Sequence, residues 1–325
     1  MSDVTATAPL GTGLSATLGL VGDRPAEEIL RRLTLDVTRR LDGMLHGDFL
    51  GLVPGQGTEP GETRSYEPGD DVRRIDWNVT ARMQRPHIRQ TIAERELELW
   101  MVIDRSPRLD FGTVNCEKRD LVVAASAGIG LLSARGGNRI GAVIVRGDEV
   151  TTVPPGQGRK HLLGLLDRTM RTPREDGAGP ASLGAALRRT GAVARRRGMV
   201  VVLSDFLGDP DSWRTDLGVI GLRHAVLCVQ VVDPRELELP PVGTLHFVDP
   251  ATGATREVNT DDARLRGRYA AAAAAQQSGI ARALREAGAD HLQLRTDSDW
   301  LMDLARHVTQ RRRQSASASP GRSPR

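Results

Sequence analysis

Two apolar runs in this chain end in side chains that could do chemistry. The first, E-L-E-L-W-M-V-I-D-R-S-P-R from Glu96 to Arg108, closes with Asp104, Ser106 and Arg108 at alternate positions. The second, M-V-V-V-L-S-D-F from Met199 to Phe206, closes with Asp205. A hard divalent cation takes oxygen ligands, and a carboxylate with a hydroxyl two residues on supplies two from one loop. If both runs are strands of one sheet, Asp104 and Asp205 meet at one end of it and could hold Mg²⁺. The same residues have a plainer use, in which Asp104 and Ser106 cap the next turn and Asp205 caps the helix that follows. Spacing alone leaves both open.

A second charged constellation lies upstream, in R-S-Y-E-P-G-D-D-V-R-R-I-D-W-N-V-T-A-R from Arg64 to Arg82. Asp70, Asp71 and Asp76 alternate with Arg73, Arg74 and Arg82 around Tyr66, Ile75 and Trp77. Such groups could be catalytic acids, a phosphate clamp or internal ion pairs. Burying charges of both signs is costly unless they pair, which favours a network that fixes a loop on the sheet. A rival reading joins Asp70 and Asp76 to Asp104 and Asp205 as a carboxylate cluster for metal-dependent phosphodiester hydrolysis. No G-K-[ST] and no G-x-S-x-G is present, so neither nucleotide binding nor a serine-hydrolase elbow has support.

The elements that must position these residues alternate. Leu30, Leu33, Val37, Leu41 and Met44 recur at helical steps from Arg24 onward, and Gly47 to Gly61 is a glycine- and proline-rich loop. The central strand at 97–103 leads into a helix at 116–134. A strand at Arg139–Arg146 follows, with a hairpin arm beyond Gly147-Asp148. Helices are expected at 158–170, 181–197 and 210–221, and strands at Met199–Phe206 and His224–Asp233. A hairpin at 243–258, a long helix from Asp261, a strand at His291–Arg295 and a last capped helix complete the pattern. Repeated strand–helix units imply a mostly parallel sheet with helices on both faces.

Composition narrows the class. The chain has 325 residues, 39% of them hydrophobic and 26% charged, as in an ordinary folded protein with room for a large core. Its net charge of +4 lies mostly in the tail, R-R-R-Q and G-R-S-P-R, so nucleic acid is not expected as a partner. Two cysteines without a C-x-x-C exclude a cysteine-built zinc site. No stretch reaches the roughly 18 apolar residues of a membrane span, and the N-terminus lacks the marks of a secretory signal, so a cytoplasmic protein is expected. The organisation expected is a flexible 1–23, an N-terminal segment at 24–96, an α/β domain at 97–308 and a disordered basic tail at 309–325.

Asp104-x-Ser106 ending one core strand and Asp205 ending a later one resembles the von Willebrand factor A fold. Arg64-x-Tyr66-x-x-Gly69-Asp70-Asp71-x-Arg73-x-Ile75-Asp76-Trp77, followed by Ala81-Arg82, is similar to the hallmark of the bacterial family called domain of unknown function 58. Ser204-Asp205-Phe206 and Asp233-Pro234-Arg235-Glu236 resemble its later landmarks. The resemblance implies an α/β, von Willebrand factor A-like sheet preceded by a small helix-plus-loop segment. It also implies a non-enzymatic interaction module or adaptor working with a MoxR-type AAA+ ATPase. The family's adhesion-type metal site reads Asp-x-Ser-x-Ser with a threonine on another loop. Here Arg108 replaces the second serine, and Ser182 is the nearest hydroxyl to the threonine position. A fixed charge about 4 Å from a cation costs several kcal/mol at an intermediate dielectric, so Mg²⁺ binding at Asp104, Ser106, Ser182 and Asp205 is expected to be weak or absent. Arg108 is expected to pair with Asp104 or Asp205, or to receive a partner's carboxylate.

Overall fold

A computed structural model describes residues 26–44, 63–66, 72, 75–89, 97–174, 182–248 and 254–317. In chain order its elements are α1 (Ala26–Met44), β1 (Thr63–Ser65), α2 (Trp77–Met83), β2 (His87–Arg89), β3 (Glu98–Asp104), α3 (Lys118–Arg135) and β4 (Arg139–Arg146). Then come β5 (Glu149–Gly156), α4 (Gly158–Met170), α5 (Leu183–Val193), β6 (Gly198–Ser204), α6 (Arg214–Gly221), β7 (Ala225–Val232) and α7 (Pro234–Leu237). β8 (Thr244–Val248), β9 (Thr255–Asn259), α8 (Ala263–Glu286), β10 (Asp290–Arg295) and α9 (Trp300–Ser317) complete the chain.

Six strands form the central sheet in the order β10-β7-β6-β3-β4-β5. All neighbours run parallel except β4 and β5, which pair antiparallel across the Gly147 turn. This is the expected α/β class, a mostly parallel sheet with helices on both faces. The long apolar runs are strands buried on both sides, and alternate residues feed two cores. Leu99, Met101 and Ile103 of β3 enter one with Met199 and Val201 of β6, under α3, α4 and α9. Trp100 and Val102 enter the other with Val200 and Val202, under α5, α6 and α8.

Three expectations need correcting. The helix from Ala26 does not belong to a separate segment: Leu30, Leu33 and Val37 are buried in the first core beside α3. An apolar stripe at helical spacing needs a partner face, and the α3–α4 side of the sheet provides it. The last helix does not stop at Val308 but continues through the basic run to Ser317. Arginine, glutamine and alanine favour helix, and Arg311 anchors the extension by pairing with Asp290 at 2.9 Å. In the Arg64–Arg82 stretch, the side chains described, at 65, 66, 72 and 75–82, are exposed or half-buried rather than buried. β1 and β2 pair as a two-stranded ribbon apart from the main sheet. Asp76 caps α2, accepting from the amides of Asn78 (3.1 Å) and Val79 (3.3 Å). Trp77 opens that helix 71% exposed, Arg82 is exposed near its end, and Tyr66 is half-buried. The backbone of Arg64 lies in β1, while Gly69, Asp70, Asp71 and Arg73 fall outside the described residues, as does the turn of the β8–β9 hairpin.

Candidate functional site

Strand order reverses between β3 and β6, whose chain neighbours lie on opposite sides of them. In open α/β sheets ligands bind beyond the carboxyl ends of strands at such a switch point. Ile103 pairs with Leu203, so Asp104 and the Ser204-Asp205 pair leave the sheet together. The two acids are then held alike. Asp104 accepts from the Ser106 amide (2.8 Å) and Asp205 from the Leu207 amide (2.9 Å), each closing its own turn. That is the local capping the sequence allowed. The second oxygen of each, however, reaches another element: Asp104 takes the Ser204 hydroxyl at 2.6 Å, and Asp205 takes the Lys118 ammonium at 2.9 Å.

Lys118 is the residue that sequence reasoning missed. It is the first residue of α3, its side chain is wholly buried, and its ammonium also contacts Glu236 at 2.5 Å. Burial alone would drive its proton off, but Asp205 and Glu236 more than reverse that and raise its pKa above the ordinary lysine value. Glu236 is fixed in turn by the Asp233 amide (3.0 Å) in the capping box of α7. Asp233 accepts from the Thr113 amide and hydroxyl and from the Thr296 hydroxyl, tying the loop before α3 to the ends of β7 and β10. One signal was available: a lysine in the first turn faces the positive end of the helix dipole, which is unfavourable unless carboxylates hold it.

A cleft of about 380 Å³ opens over these groups. Asp104, Ser106, Ser204 and Asp205 form its floor, and both acids are nearly sealed, at 4% and 3% exposure. Burial, and then the Asp205 charge, push the Asp104 carboxyl above the usual range. The rim carries Asp148 from the β4–β5 turn, Asp209 and Ser182. Ser182 donates its amide to the Gly147 carbonyl at 2.9 Å, which joins the head of α5 to that turn. Arg108 lines the cleft and donates to the Leu207 carbonyl rather than to Asp104 or Asp205, strapping the β3 loop to the β6 loop over Gly208. Phe206 adopts a left-handed backbone (φ 55) beside Asp205, with its ring edge-on to Trp213 at 5.4 Å. A bulky residue in that region is strained, and such strain gathers at functional sites.

Asp104, Ser106, Arg108, Ser182 and Asp205 are therefore brought to one cleft. Asp76 caps its own helix, and no group of three or more His, Cys, Asp or Glu side chains among the described residues could hold a metal ion. The cleft residues do not favour a resident divalent cation: Lys118 already neutralises Asp205, and Arg108 adds a guanidinium to the lining, so a dication there would meet like charge.

The family model described as "Protein of unknown function DUF58" matches residues 62–279. "Uncharacterized protein Rv1480" of Mycobacterium tuberculosis (strain ATCC 25618 / H37Rv) is 50% identical over 295 residues, covering 91% of this chain and 92% of that protein. Among solved structures, BatB from Bacteroides thetaiotaomicron aligns over 68% of this chain and 100% of its own, with 12% identity and a TM-score of 0.44. The SpRpn10 VWA domain aligns over 65% and 94%, with 11% identity and a TM-score of 0.40. Among the described residues no helix is long and apolar enough to cross a membrane. The extent of the family match, and the half-identical relative spanning nearly the whole chain, place this protein in the DUF58 family.

Proposed function

We propose that this protein is a non-enzymatic interaction module whose cleft at the β3–β6 switch point receives a partner's side chain without a metal ion. The observation that carries the reading is the buried Lys118 bridging Asp205 and Glu236, a resident cation that already neutralises one of the cleft's two acids. Charge sets the chemistry of the guest. Asp148 and Asp209 are exposed at the rim, while Arg108 is engaged with a backbone carbonyl. The opening is thus acidic, and a basic or hydrogen-bond-donating side chain complements it better than the carboxylate first expected at Arg108. The partner to which the sequence resemblance points is a MoxR-type AAA+ ATPase, with the cytoplasm as the place of encounter.

The test is calorimetry of the full chain against the purified MoxR-type ATPase of the same organism, in Mg²⁺ and in EDTA. With nucleotide held constant, binding should be the same in both buffers. Asp148→Arg reverses the rim charge at an exposed turn and should weaken binding at least about tenfold, in line with the cost of like charges at an interface. Binding abolished by EDTA, or indifferent to Asp148→Arg, would refute the reading.

A further inference from the structure

Arg105 stands between Asp104 and Ser106 yet faces a different space. It lines a second cavity, of about 290 Å³, with Arg119, Asp120, Arg171, Thr172 and Arg174. No lining residue is shared with the cleft. Three of its four guanidiniums have acidic partners of their own. Arg119 meets Asp110 at 2.6 Å, Arg171 meets Asp167 at 2.7 Å, and Arg174 grips Glu117 through two bonds of 3.2 and 2.6 Å.

Arg105 differs. It is 4% exposed, its guanidinium donates from Nη1 to the Arg119 carbonyl (3.1 Å), and its Nε has no partner among the described residues. An interior guanidinium with no directly bonded carboxylate is costly, because little replaces its lost hydration. Burial and the neighbouring Arg119 charge lower its pKa to about 9, and the nearby Asp110, Asp120 and Asp104 offset only part of that. Planar guanidiniums converging on one cavity match the bidentate geometry of a tetrahedral oxyanion. Asp120 is the only carboxylate lining the cavity among the described residues, against four arginines.

We propose that this cavity binds a phosphate-type oxyanion, as the free ion or as a phosphorylated side chain, with Arg105 as its buried anchor. The site stands apart from the cleft, and neither reading depends on the other. Inorganic phosphate, titrated calorimetrically into the full chain at constant ionic strength, should bind saturably at one site. Loss of a charge-assisted hydrogen bond in Arg105→Met should weaken it at least about tenfold. Arg174→Gln, at an exposed position that leaves the core intact, should weaken it severalfold, and Asp120→Asn should tighten it by removing the opposing charge. A phosphoserine peptide that competes with phosphate, while its unphosphorylated form does not, identifies a phosphorylated side chain. Binding of phosphate alone identifies the free ion. Absence of saturable phosphate binding by the wild type, or affinity unchanged in folded Arg174→Gln, would overturn the proposal.

Discussion

Replacing Lys118 by methionine keeps most of the side-chain volume and removes only the ammonium. Asp205 would keep its Leu207 amide and Glu236 its Asp233 amide, but each loses its only cationic contact among the described residues. Removing one member of a buried pair commonly costs about 3–5 kcal/mol, since a charge is left in the interior. Glu236 is the more accessible acid, with 19% of its side chain exposed, and can recover part of its hydration. The expected loss is therefore near the lower end, about 3 kcal/mol, or roughly 4–5 °C in melting temperature for a protein of this size. Equilibrium urea unfolding of both proteins across pH is the assay. Lys118 has a folded pKa above its unfolded value, so in the wild type its contribution is whole below about 10.5 and fades as pH rises through the folded pKa. The variant lacks that alkaline loss. Its own deficit should shrink on acidification, as the orphaned Glu236 carboxylate, whose pKa burial already raises, takes up a proton. Adding Asp205→Asn and Glu236→Gln should recover most of the stability lost in Lys118→Met. A single variant within about 1 kcal/mol of wild type, or a deficit that the two neutralisations leave untouched, would refute the claim that Lys118 is the resident cation.

Two further outcomes follow from the fold and its electrostatics. Leu33→Ala in α1 should cost about 2–5 kcal/mol by chemical denaturation, in one cooperative transition, because the side chain lies within the main core; a cost under about 1 kcal/mol would detach that helix from the domain. Burial, and then Glu117, raise the Asp120 carboxyl from 3.8 to about 6. The folded state then holds the proton more tightly than the unfolded chain, so Asp120 stabilises progressively as pH falls from about 6 toward 4, by at most roughly 3 kcal/mol. Asp120→Asn should be more stable than wild type at neutral pH and lose that advantage toward about pH 4, whereas parallel stability curves would contradict the assignment.

Much of the architecture was legible because hydrophobic period is a local property. The runs at Leu99–Ile103, Met199–Leu203 and Val226–Val232 could only be doubly buried strands, and Leu30, Leu33 and Val37 could only be one face of a helix. That period says nothing about which surface the face meets, so α1 was read as a segment apart until α3 and α4 were seen beside it. The extension of α9 depended likewise on Asp290, which meets Arg311 only because β10 lies alongside.

At the site, two acids and a hydroxyl ending two core strands, with Arg108 close behind, were legible in the sequence. Tertiary structure alone decided what those groups do. Parallel register brought Asp104 and Asp205 to one cleft, and helix α3 delivered Lys118 between Asp205 and Glu236, residues 87 and 118 positions away in the chain. The same folding turned Arg105 away from its neighbours toward a different cavity. Charge compensation in a protein interior is settled by distance in space, and a one-dimensional pattern carries that distance only where the partners share a helix, a strand or a turn.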